Sequence, residues 1–195
     1  MKRTPIILAS TSPRRKELLS QAQIPFVAQS PKNGDEILSE GLSFEAAIEN
    51  LAFQKAYSLV ADNPGDLILG ADTLVKIDNQ VLGKPKDEQE AFDMLKQLSG
   101  RTHEVITGVA FVKDAFVHCF HSTTFVHFHQ MSDDEIHEYI DSKEVFNKAG
   151  AYAIQGYGAR HVRALEGDYY TVMGLPLNMV YRSYKAYLNN QLFSL

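Results

Sequence analysis

Two carboxylates and a small set of cations carry most of the chemical interest in this sequence. Asp72 follows Leu67-Ile68-Leu69-Gly70-Ala71, an apolar run with the pattern of a strand buried on both faces, so its carboxylate is expected at a strand end on a rigid support. A carboxylate there can hold a divalent cation, or orient and deprotonate a water, although a plain turn or cap aspartate is an equally common occupant of such a position. Glu36 lies in a Gly-flanked polar loop, where most acids are simply solvated. Lys84, between Gly83 and Pro85, sits on a stiff turn that can aim a lysine at one place. Lys55 lies in a helix otherwise suited to packing, where a lysine commonly runs its stem along the surface. With Arg14 and Arg15, these residues make sense as a phosphate-ester site. Arg14, Arg15, Lys55 and Lys84 would neutralise polyphosphate oxygens while Asp72 and Glu36 hold a metal and a water.

The elements that must position them follow from pattern. Ile6 to Ala9 reads as a buried strand, Ser10 to Ser12 as a turn, and Arg14 to Gln23 as a helix. Ser12 suits the N-cap, its hydroxyl accepting a free backbone N–H, and Pro13 suits the first helical position. Such a corner aims unpaired N–H groups and the positive end of the helix dipole at the turn, which favours a bound anion, and Arg14, Arg15 and Lys16 add charge beside it. Ser43 caps a second helix reaching about Ala61, and Asp78-Asn79 forms a tight turn between Leu74–Ile77 and Gln80–Leu82. Capping boxes at Asp87–Glu90 and Ser132–Glu135 open two further helices. Glu104 to Val112 and Phe116 to His129 read as strands, as do Ala149 to Gln155 and Arg160 to Leu165, with a last helix from Gly174. The order predicts an α/β fold, a mixed central β-sheet flanked by helices. Its ligand cleft is expected beyond strand ends where Arg14, Asp72 and Lys84 meet.

Composition fits one α/β domain spanning 1–195. The 195 residues are 45% hydrophobic and 22% charged. A net charge of −5 argues against general nucleic-acid binding, so any anion site is a local cluster of cations. The single cysteine, Cys119, excludes an intramolecular disulfide and fits a reducing cytosol. No apolar run approaches the length of a membrane span, and the expectation is a cytoplasmic protein with no membrane or nucleic-acid partner. The histidines His118, His121, His127 and His129 read as strand-surface residues rather than a zinc site, and Tyr169-Tyr170 as loop anchors or a base-stacking pair.

Several blocks, in one order and across nearly the whole chain, resemble the Maf family of nucleoside triphosphate pyrophosphatases. They are Leu8-Ala9-Ser10-Thr11-Ser12-Pro13-Arg14-Arg15, Gly70-Ala71-Asp72-Thr73, Gly83-Lys84-Pro85 and Leu98 to Val105, then Lys148 to Gly156, Glu166 to Tyr170 and Gly174-Leu175-Pro176-Leu177. The resemblance implies a two-lobed protein with an active site in a cleft, as in the related ITPase-like folds, and hydrolysis of a nucleoside triphosphate to the monophosphate and pyrophosphate. It also implies a divalent cation, Mg2+ or Mn2+, and a homodimer. Asp72 is the implied general base and, with Glu36, the implied metal ligand; Ser12, Arg15, Lys55 and Lys84 fall on phosphate-handling positions. Arg14, Thr73 and Gln155 stand in the three places that mark members acting on dTTP and UTP, with modified pyrimidine triphosphates also open. Relatives preferring 7-methyl-GTP carry glutamine after the aspartate and Ser-Glu-Gly in place of Ile154-Gln155-Gly156. The alternative reading is a regulatory nucleotide-binding protein linked to division arrest.

Overall fold

The computed structural model describes residues 5–32 and 41–189. Among them, seven strands form one mixed sheet in the order β2-β1-β3-β5-β6-β7, with β4 paired to β3. The strands are β1 (Ile6–Ala9), β2 (Phe26–Gln29), β3 (Ile68–Ile77), β4 (Gln80–Leu82), β5 (Thr102–Lys113), β6 (Phe116–Phe128) and β7 (Val162–Glu166). The helices are α1 (Pro13–Gln21), α2 (Phe44–Tyr57), α3 (Glu88–Leu98), α4 (Asp133–Asp141), α5 (Tyr169–Met173) and α6 (Leu177–Leu188). The chain clusters into two compact units. The first comprises Met1–Asp72, Thr107–Ser122 and Gly174–Leu195; the second comprises Thr73–Ile106 and Thr123–Met173.

In the first unit, β1 runs parallel to β2 (Ile6↔Phe26 through Ala9↔Gln29) and to β3 (Ile7↔Ile68, Leu8↔Leu69). All four β1 residues are buried, as a parallel strand covered on both faces requires. Helix α2, capped by Ser43 Oγ accepting from Ala46 N at 3.2 Å, lies unusually close to the sheet. A Cβ on Gly70 would stand 2.1 Å from the Ala52 carbonyl oxygen, and one on Gly108 2.5 Å from that of Ile48. Two strand glycines therefore let the helix backbone rest on the sheet. Ala52, Ala56, Leu59 and Ile68 form the core there, with half-buried Cys119 against it. Burial pushes the Cys119 thiol up to about 11.

In the second unit, β3 and β4 pair antiparallel from Val75↔Leu82 to Ile77↔Gln80 about the expected Asp78-Asn79 turn, where Asp78 has φ 53°. Asp87 caps α3 by accepting from Glu90 N at 2.8 Å, while the Glu90 carboxylate accepts from Lys86 N at 2.7 Å, one residue before the cap. The Ser132–Glu135 box on α4 is complete. Both helices bury apolar faces in a core that includes Val75, Leu95, Val105, Phe128 and Ile136. Among the described residues no helix is long and apolar enough to cross a membrane.

Three local expectations are corrected. Asp72 does not follow a strand; it lies inside β3, which continues to Ile77. The apolar run ends there because the strand exchanges partners, pairing with β1 at Ile68 and Leu69 and with β4 only from Val75. Residues 149–155 are not a strand either. Gly150 and Ala151 adopt consecutive positive φ values of 67° and 59°, left-handed backbone that no extended chain can hold, within a single turn of 3-10 helix at Ala149–Ala151. Ser12 occupies the N-cap of α1 and Pro13 its first turn, but the Ser12 side chain makes no capping bond. Instead the Ser12 N–H donates to Ser10 Oγ at 3.1 Å, so Ser10 folds the corner.

Candidate functional site

The strongest candidate geometry lies in the first unit. Lys55 Nζ is 2.8 Å from Asp72 Oδ1, with the two side chains 12% and 11% exposed. Lys55 is thus no surface lysine. The close seat of α2 on Gly70 brings a helix residue within reach of a carboxylate two positions further along β3. Gly70 and Asp72 share the strand's helix-facing side because successive residues alternate. Among the described residues Lys55 is the one partner of Asp72.

The strand register sets the second part. Leu8 is level with Leu69, so the turn after β1 and the following Gly70-Ala71-Asp72 leave the parallel pairing at the same, carboxyl end. That turn carries Ser10 and Ser12, and Arg14 and Arg15 follow in the first turn of α1. Arg15 Nε donates to the Gly174 carbonyl at 2.9 Å and one of its terminal nitrogens to Ser10 Oγ at 3.4 Å, which fixes the guanidinium beside the α1 N-terminus. Arg14 and Ser12 are half-buried at the same corner. The structure therefore gathers Ser12, Arg14, Arg15, Lys55 and Asp72 at one end of the first unit's sheet. Glu36 lies outside the described residues.

Lys84, Thr73 and Gln155 belong to the second unit. Thr73 follows Asp72 directly on β3, half-buried. Lys84 is exposed on a turn pinned by Gly150 N donating to Gly83 O at 2.9 Å. Gln155 is exposed, on a loop rather than a strand.

The block Leu98 to Val105 supports this second unit rather than converging on a point. Arg101 forks onto both Asp78 oxygens at 2.9 and 2.8 Å, Thr102 Oγ1 meets His127 Nδ1 at 2.7 Å, and Glu104 pairs with Lys76 at 2.6 Å. His103, 2% exposed, hydrogen-bonds Tyr152 Oη at 2.8 Å between the rings of Phe128 and Tyr152. Burial first and the charge of His127 second lower its pKa to about 4, so it is neutral in the fold. Burial also raises the Tyr152 hydroxyl above its ordinary range.

Pattern reading missed three contributors: the Ser10 hydroxyl, the Gly174 carbonyl and the close approach at Gly70. A glycine inside an otherwise bulky buried strand was a usable signal for the last. Nothing local marks a carbonyl at residue 174 as the partner of Arg15.

The donor set also bears on a divalent cation. Magnesium is commonly held by one or two carboxylates completed by substrate phosphates, and Asp72 beside a cationic corner fits that arrangement. Among the described residues no group of three or more His, Cys, Asp or Glu side chains comes together as a self-sufficient metal centre.

Relatives named dTTP/UTP pyrophosphatase include one from Bacillus velezensis, 47% identical over 93% of this chain and 96% of its own. Others come from Halalkalibacterium halodurans, at 45% over 94% and 96%, and Clostridioides difficile, at 44% over 96% and 97%. A solved structure of the Staphylococcus aureus Ham1 protein aligns at 11% identity with a TM-score of 0.46, covering 82% of this chain and 80% of that one. The description "Maf-like protein" matches residues 5–187, nearly every residue discussed above, and the chain belongs to the Maf family.

Proposed function

We propose that this protein hydrolyses dTTP and UTP to the nucleoside monophosphate and pyrophosphate. The observation that carries the reading is the buried Lys55–Asp72 pair at the end of the sheet that also bears the Ser12–Arg15 corner. Buried ion pairs seldom repay their desolvation as stability, so chemistry is the better reason for one here. The names of relatives at 44–47% identity support the substrate class.

In this reading Asp72 takes the proton of a water attacking the α-phosphorus, and Lys55 holds the carboxylate in the attacking direction. The bond from the α-phosphorus to its bridging oxygen breaks, and pyrophosphate leaves. Arg14, Arg15, Lys84 and the amide-bearing corner at Ser12 stabilise the charge that develops on it. A divalent cation, held by Asp72 and Glu36 with the substrate phosphates, supplies further neutralisation of those oxygens when bound. The Gln155 amide offers one donor group and one acceptor, which matches the O4 and N3–H edge of uracil or thymine, with Thr73 and Arg14 as the other selecting residues. A cytoplasmic homodimer is part of the proposal through the family resemblance; light scattering on purified protein tests the oligomer.

The decisive experiment incubates purified protein with dTTP, UTP and GTP in Mg2+ or Mn2+ and identifies the released phosphate species. Pyrophosphate from UTP and dTTP is expected. Orthophosphate release, or no release from any of the three, overturns the reading.

A further inference from the structure

Gln155 stands outside the strands and α-helices, directly before a 3-10 helix over Gly156–His161, and the backbone is fastened by side chains on both sides of it. Two residues before Gln155, Ala153 N donates to Tyr139 Oη at 3.0 Å, with Tyr139 fully buried in α4. Two residues after it, Tyr157 N donates to Glu144 Oε2 at 2.8 Å. Both fits are close. A Cβ on Gly156 would stand 2.7 Å from each Glu144 carboxylate oxygen, and one on Gly158 2.4 Å from Tyr139 Oη. The Tyr139 and Tyr157 rings stack at 5.5 Å and 8°, and the Arg160 guanidinium lies 3.6 Å from the Tyr157 ring centre. Glu144 is itself held in place, since its N–H donates to Ser142 Oγ at 3.3 Å and the left-handed residues Lys143 (φ 62°) and Asn147 (φ 60°) bracket it.

We propose that Glu144 and Tyr139 are positioning residues for nucleobase selection: by fixing the backbone on either side of Gln155, they set the direction in which its amide is presented to the pyrimidine of a nucleoside triphosphate. This rests on the reading of Gln155 given above. A planar amide distinguishes bases only when its donor and acceptor are held to within about 10–20°, and on a loop that precision must come from supporting bonds. The Glu144 bond is the stronger of the two, being a charged acceptor on a backbone N–H. It is also the easier to alter, because Glu144 is only half-buried.

The test compares Glu144→Ala, Glu144→Gln and Gln155→Glu in the full chain. Glu144→Ala is expected to raise KM for UTP and dTTP about tenfold, with kcat changed less than about twofold. Glu144→Gln keeps an oxygen acceptor for the Tyr157 amide and is expected to hold KM within about threefold of the original. Amide exchange across residues 153–158, read without nucleotide, should quicken in Glu144→Ala and not in Glu144→Gln. Unchanged exchange, unchanged KM, or a kcat loss shared equally by all nucleotides at constant KM overturns the proposal. If Gln155→Glu leaves the preference for UTP and dTTP as it was, the reading of Gln155 itself falls. If that variant shifts the preference while Glu144→Ala does nothing, only the positioning role falls.

Discussion

The two compact units hold the residues proposed for the site by opposite means. In the first, regular elements do the work: α2 rests on Gly70 and Gly108, and from that seat Lys55 reaches Asp72. In the second, Gln155 stands between two short 3-10 turns, and individual side chains grip the backbone on either side of it at Ala153 and Tyr157. The first arrangement tolerates no added volume beneath the helix; the second tolerates no loss of an acceptor. A group that must bear charge in a low-dielectric setting gains from the stiff arrangement, whereas a group that recognises a base needs orientation more than burial.

The contrast can be broken at several points. The largest effect is expected from Asp72→Asn, which should lower kcat by about a thousandfold or more while nucleotide still binds. Turnover within about tenfold of the original would remove Asp72 as the base. Gly70→Ala comes next. With the Ala52 carbonyl 2.1 Å from the new methyl, the helix must shift, and unfolding in urea should show a loss of about 3 kcal/mol together with lower kcat. An unaltered midpoint would mean that the α2 contact does not govern the pair.

The buried polar group of the second unit gives a pH signature of similar size. His103 titrates at about 4 in the fold against 6.5 for the free side chain, so the unfolded chain binds a proton first as pH falls. Its contribution is complete above 6.5 and is lost as pH drops towards 4, amounting to about 3 kcal/mol across that window. His118 and His161 are also lowered by burial and act in the same direction. The wild-type minus His103→Gln difference in urea midpoint, followed from about pH 7 to about pH 4, isolates the one group; parallel curves would refute it. Smallest is Gln155→Glu, expected to reduce kcat/KM for UTP and dTTP about tenfold by replacing a donor–acceptor amide with an acceptor alone.

Much of this was legible in residue order, for local reasons. Ser43, Asp87 and Ser132 announce helix starts because their side chains satisfy amides three residues on, and Asp78-Asn79 announces a turn because its backbone suits left-handed φ. The cations and Asp72 stood out because charge beside apolar runs is conspicuous. What stayed hidden depended on distant partners. Beyond Asp72, β3 has β5 as a sheet neighbour and gains β4 from Val75, and the left-handed pair Gly150-Ala151 accompanies a bond from Gly150 N to the Gly83 carbonyl. Ser12 looked like a complete cap, yet its hydroxyl makes no capping bond and Ser10 serves the turn. Likewise Glu144 and Tyr139 carry no signature of their own, since their partners are backbone amides 13 and 14 positions away.

The bond from Arg15 to the Gly174 carbonyl spans 159 positions, and the first unit's last segment begins at that same glycine. Ribosomes deliver the chain from its amino end, so this early corner waits for 159 further residues before its guanidinium is fastened. The second unit, whose last residue is Met173, has all its parts first. A message cut short just before codon 174 would thus encode every residue of the second unit but leave Arg15 without its carbonyl partner.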